Sequence, residues 1–71
     1  MTNEQVKLIR LYNAKSQAQF AKEIGVGAST IAKIEVGLHG VTERVRSRIL
    51  RKYDVNEPEF VAFCERMTKA I

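Results

Sequence analysis

The strongest constraint on this chain lies between Ser16 and Gly37, where two short helical patterns meet at a glycine corner. Ser16-Gln17-Ala18-Gln19 sets a hydroxyl three residues before a glutamine, the pattern in which side chains and backbone cap each other at a helix start. Phe20, Ala21 and Ile24 then fall on one face of the helix so opened. Gly25 stops it, because glycine reaches the left-handed conformation without a Cβ clash. Val26 plugs the corner and the chain restarts near Gly27. A second helix, from about Ala28 to Val36, buries Ile31 and Ile34 and ends at Gly37. Ala21 is small enough for the two helices to cross closely there. The face opposite Ile31 and Ile34 carries Ser29, Thr30, Ala32 and Lys33, which are polar, short or flexible.

The rest of the chain supplies packing partners for this pair. Thr2 and Gln5 form another capping box, predicting a helix to about Ala14 with Val6, Ile9 and Tyr12 inward. The loop Leu38-His39-Gly40-Val41 leads to Thr42, a helix cap with Glu43 in the favoured first turn. That fourth helix reaches Lys52 or Tyr53, with Val45, Ile49 and Tyr53 at four-residue intervals and Leu50 alongside. Asn56-Glu57-Pro58-Glu59 predicts a last start, with Asn56 as cap and Pro58 in the first turn. The last helix, about 57–70, carries an apolar stripe of Phe60, Phe63, Cys64, Met67 and Ile71. The reading is all-α, with five helices in one domain over residues 1–71 and no repeat or linker.

Charge placement says more than the net +4. Up to Tyr53, ten lysines and arginines face only Glu4, Glu23, Glu35 and Glu43. From Asp54 onward, Arg66 and Lys69 face Asp54, Glu57, Glu59 and Glu65. The front of the chain is suited to a polyanion and the tail is not. No nucleophile–base set, phosphate-binding glycine loop or metal cluster is visible, so the expectation is a non-enzyme without cofactor or metal. The lone Cys64 excludes an intramolecular disulfide. Neither a signal peptide nor a span of about 20 apolar residues is seen, and the expected location is the cytoplasm.

Gln17 through Val26, followed by Ser29-Thr30-Ile31-Ala32-Lys33-Ile34-Glu35 and Gly37, resembles the Cro and phage-repressor (XRE-type, lambda-repressor-like) helix-turn-helix family over roughly residues 6–55. The resemblance implies five packed helices, dimeric binding to an inverted repeat in double-stranded DNA, and a regulatory role, usually repression. It implies that Ala28, Ser29 and Lys33, with Thr30 nearby, face base edges. It makes Gln17 a phosphate contact, makes Arg10 and Glu35 a structural ion pair, and makes Gly37 to Arg44 a loop along the backbone. His39 and Arg44 there, and Gly27 at a helix start, are expected near phosphate. The chain departs from the pattern at two positions and in the loop, which lacks the family's frequent proline near Val41. Ala28 replaces the glutamine or arginine often first on the recognition helix, leaving a methyl that can meet a thymine methyl. Val36 sits where polar residues are common.

The stripe of the last helix exceeds what a short fifth helix needs to close a core. Phe60, Phe63, Cys64, Met67 and Ile71 are therefore expected at a homodimer contact. A rival reading uses the same fold as an antitoxin or antirepressor-like protein-interaction module, docking that helix into a partner. A separate protein antagonist fits either reading. Membrane association fits poorly, because the helix also carries Glu57, Glu59 and Glu65.

Overall fold

The computed structural model describes residues 1–70, in which five helices follow one another without a strand. They are α1 (Asn3–Tyr12), α2 (Gln17–Ile24), α3 (Ala28–Glu35), α4 (Glu43–Leu50) and α5 (Pro58–Lys69). Both capping boxes form. Thr2 Oγ1 accepts from the Gln5 amide at 3.0 Å while Gln5 Oε1 accepts from the Thr2 amide at 2.8 Å. Ser16 Oγ accepts from the Gln19 amide at 3.1 Å, and Gln19 Oε1 from the Ser16 amide at 2.9 Å. Each box satisfies two amides that a bare helix start leaves unpaired.

Gly25 closes α2 at φ +77°. The chain folds back so that the Val26 amide donates to the Ala21 carbonyl at 2.9 Å. Gly37 repeats the device after α3 at φ +82°, with the Leu38 amide on the Lys33 carbonyl at 2.9 Å. These wraps satisfy carbonyls left over at each helix end.

Three expected boundaries move. α1 ends at Tyr12 rather than Ala14, because Ala14 turns to φ 54° and the Asn13 side chain donates back to the Ile9 carbonyl at 2.8 Å. α4 ends at Leu50, before the expected Lys52 or Tyr53. Asn56 is not the cap of α5. Glu57 takes that place without capping the helix through its side chain, while the Asn56 amide is held by Asp54 Oδ1 at 2.9 Å.

The core combines Val6, Leu8 and Ile9 of α1, Phe20, Ala21 and Ile24 of α2, and Ile31 and Ile34 of α3. Val45 and Ile49 of α4 and Phe60 of α5 complete it. Leu8 was not among the inward residues expected from sequence. It is buried because α1 packs against α3 and also against α5, so its apolar arc is wider than one stripe. Full burial of Phe20 or Ile31 contributes about 1.5–3 kcal/mol apiece, and these two tie the corner to the core.

Candidate nucleic-acid interface

α3 is fixed from three directions. Ile31 and Ile34 are buried beneath it. On its flank, Arg10 Nε donates to Glu35 Oε2 at 2.6 Å and Nη2 donates to Oε1 at 2.7 Å. Arg10 Nη1 also donates to the Lys15 carbonyl at 2.9 Å, so the guanidinium ties α1, α3 and the α1–α2 corner together. At the end of α3, the Asn3 side-chain amide donates to the Ile34 carbonyl at 2.9 Å and the His39 carbonyl at 2.6 Å. Burial works against ionisation of Glu35, but the hydrogen bonds from Arg10 and Gln17 outweigh it and hold the carboxyl below its ordinary value. The same hydrogen bond raises the Arg10 value further.

These anchors leave the outer face of α3 free. Ala28, Ser29 and Lys33 are exposed, while Thr30 turns to the flank and is half-buried. The start of α3 has no side-chain cap, since Gly27 is the cap residue, and no acid stands in its first turn. α2 likewise has no acid in its first turn, whereas α1, α4 and α5 carry Glu4, Glu43 and Glu59 there. Both helix starts of the corner therefore keep positive dipole ends for an anion, α3 with no side-chain cap and α2 with its Gln19 amide already taken by Ser16.

At the start of α2, Gln17 Nε2 donates one hydrogen to Glu35 Oε1 at 3.2 Å, which orients the side chain and leaves its second hydrogen and the backbone amide as donors. His39 and Arg44 are exposed in and after the loop, and Arg44 makes no ion pair among the described residues.

The structure also sorts the cations. Arg10 is held by Glu35, Lys15 by Glu23, and Arg46 loosely by Glu43 at 3.5 Å. Arg48 reaches across to donate to the Ile24 carbonyl at 3.2 Å, capping α2 from α4. Glu23 takes the Tyr53 hydroxyl on its other oxygen. Hydrogen bonds from Lys15 and then Tyr53 hold the Glu23 carboxyl below its ordinary value. Burial and then the carboxylate push the Tyr53 hydroxyl up to about 12. Sequence reasoning missed Asn3, Arg48 and the Lys15–Glu23–Tyr53 cluster. The partners of Asn3 are backbone carbonyls 31 and 36 residues away, which no local pattern signals.

The apolar stripe of α5 divides along its length. Phe60 is only 6% exposed and belongs to this chain's own core, so its expected place at a dimer contact is corrected. It meets Tyr12 edge-on at 5.4 Å between ring centroids, and Phe63 meets the same ring at 5.3 Å. Phe63 and Cys64 are half-buried, whereas Met67 and Val61 stand exposed. Ile71, expected at the same contact, lies outside the described residues. No group of metal-binding side chains occurs among the described residues, and no helix there is long and apolar enough to cross a membrane.

Residues 6–60 match the helix-turn-helix family, a span running from within α1 to the first turn of α5. No curated protein and no solved structure matches the chain.

Proposed function

The chain belongs to the helix-turn-helix family of the Cro and lambda-repressor type, a DNA-binding family, and on that premise we propose that it is a dimeric, sequence-specific repressor of phage or mobile-element kind. The observation that carries the reading is the two-sided character of α3. Its inner side is anchored by Ile31, Ile34 and Glu35, and its outer side presents Ala28, Ser29 and Lys33 with no acid among them. A helix so held fits the major groove, where short and flexible polar side chains reach base edges.

In this reading Ser29 and Lys33 donate to base acceptors, the Ala28 methyl meets an apolar edge, and Thr30 sits at the side of the contact. The amides at Gln17 and Gly27, with His39 and Arg44, engage phosphates and fix the register. Met67 toward the end of α5, with the half-buried Phe63 and Cys64 on the same side, supplies the contact between two copies. Such a dimer sets the two α3 helices about 34 Å apart, one turn of duplex.

Selection of bound duplexes from a random library at physiological salt tests the proposal. The expected product is an inverted repeat with half-site centres about 10 bp apart. Ser29→Ala with Lys33→Ala should abolish that enrichment while leaving the helical circular dichroism unchanged. Binding that selects no sequence and vanishes as salt rises would leave only the phosphate contribution. The antitoxin or antirepressor-like alternative would then stand, with Met67→Lys and Val61→Lys as the variants that break its protein contact.

A further inference from the structure

Val36 and Leu38 are each 72% exposed, the most exposed large hydrophobic side chains of the described residues. Val36 stands immediately after α3 as its C-cap, with φ −92° and ψ 1°, and therefore continues the helical register closely. At about 100° per residue, Ser29, Lys33 and Val36 form one row, diametrically opposite Ile31 and Ile34. We infer that Val36 reads the C5 methyl of a thymine, as a specificity-determining residue on the same face as Ser29 and Lys33. The inference rests on the assignment of α3 as the reading helix.

Three observations select this occupant. First, the backbone that carries this uncovered side chain is held in place. The Val36 amide donates to the Ala32 carbonyl at 3.2 Å, Gly37 to Ile34 at 3.1 Å and Leu38 to Lys33 at 2.9 Å. Asn3 adds its grip on the Ile34 and His39 carbonyls. A β-branched side chain on a fixed backbone loses little rotamer freedom when it is covered. Second, the row it completes is otherwise polar, with Ser29 and Lys33 exposed beside it. A protein interface centres on a broader apolar patch. Third, the thymine methyl is the one apolar group that base edges present in the major groove.

The helix also limits where that thymine lies. Ser29 and Val36 are separated along the axis by roughly 10 Å at the rise of an α-helix. Whatever the tilt of α3 in the groove, this spans at most about three base-pair steps of duplex. Val36 thus meets a pair within about three steps of the one that Ser29 contacts, in the same half-site.

The test replaces each thymine of the selected operator in turn with deoxyuridine, which removes only the methyl, and measures affinity at fixed salt. The wild-type protein should lose about fourfold at one thymine, the equivalent of one methyl left in water. That position should fall within about three steps of the pair whose substitution Ser29→Ala no longer senses. Val36→Ala, which removes an exposed side chain and should fold normally, should lose sensitivity at that thymine and keep the penalties at all others. An equal deoxyuridine penalty in wild type and Val36→Ala at every position overturns the inference and leaves Val36 to a protein contact. A selected operator with no thymine within that distance overturns it as well, with α3 still the reader. If no operator is selected, the reading of α3 fails first and this inference falls with it.

Discussion

Arg10 and Glu35 join α1 to α3 through two parallel hydrogen bonds of 2.6 and 2.7 Å, and Gln17 adds a third donor to the same carboxylate. The pair is largely sheltered from solvent, with 13% of the arginine and 4% of the glutamate side chain exposed. Glu35→Ala leaves the guanidinium without its carboxylate and should destabilise the fold by about 3 kcal/mol. Converting both residues to apolar side chains of similar size should recover much of that loss. Urea unfolding followed by circular dichroism distinguishes the two variants. A loss of only a few tenths for Glu35→Ala would mean that water screens the pair.

Acid should unfold the protein through its paired carboxyls. Glu35 and Glu23 are both held below the ordinary carboxyl value in the folded chain. Their stabilisation is fully present above the unfolded value of about 4.3 and is lost as pH falls through the lowered folded values. The melting temperature should therefore drop below about pH 4, and Glu35→Gln should flatten that drop. An unchanged slope would move the acid sensitivity to other groups.

Alkali should act through Tyr53. Its hydroxyl is raised from the ordinary 10.0 to about 12, first by burial and then by Glu23. A raised folded value contributes stability that is present below the unfolded value and lost as pH climbs through the folded one. The window thus runs from about pH 10 to about 12. Tyr53→Phe should lose less stability than the parent across it, and the parent's tyrosinate absorbance should rise late. A tyrosine titration complete near the ordinary value would contradict this.

The two left-handed glycines should differ in cost. A Cβ on Gly25 would stand 2.6 Å from Arg48 Nη1, whereas nothing lies within 4 Å of one on Gly37. Gly37→Ala should cost the backbone strain alone, about 1–2 kcal/mol. Gly25→Ala should cost about 1 kcal/mol more, because the displaced guanidinium loosens its bond to the Ile24 carbonyl. In an Arg48→Ala background that difference should shrink.

Gly27→Asp should pull stability and binding in opposite directions. Gly27 has φ −73°, and a Cβ there would meet Thr30 Oγ1 at 3.7 Å and Ser29 Oγ at 3.8 Å, so a side chain fits. The carboxylate would cap α3 and complement its dipole, adding about 0.5 kcal/mol. The same charge at a phosphate-facing helix start should weaken DNA binding by roughly tenfold. Stabilisation with undiminished binding would place the start of α3 away from the duplex.

The helices and the corner were legible because their signals are local. Capping boxes at Thr2 and Ser16, stops at Gly25 and Gly37, and the inward spacing of Ile31 and Ile34 each lie within a few residues. The Arg10–Glu35 pairing was accessible only through family resemblance, since nothing local links residues so far apart. Arg48, Asn3 and Tyr53 were hidden for a related reason. Arg48 and Asn3 bind backbone carbonyls, which carry no residue identity, and Tyr53 finds Glu23 only once α2 and α4 have docked. The apolar stripe of α5 was visible as a stripe. How far it was spent within the chain depended on Tyr12, whose ring receives both Phe60 and Phe63.

The buried side chains and side-chain hydrogen bonds that anchor α3 come from its inner side, its flank and its end, through Ile31, Ile34, Glu35 and the Asn3 amide. None uses the side chain of Ala28, Ser29, Lys33 or Val36. Those four positions can therefore drift or be redesigned with almost no penalty in folding. If α3 is the reading helix proposed above, copies of such a gene can diverge to new operators while inheriting the same scaffold, and swapping these four residues between relatives should transplant target preference in one step.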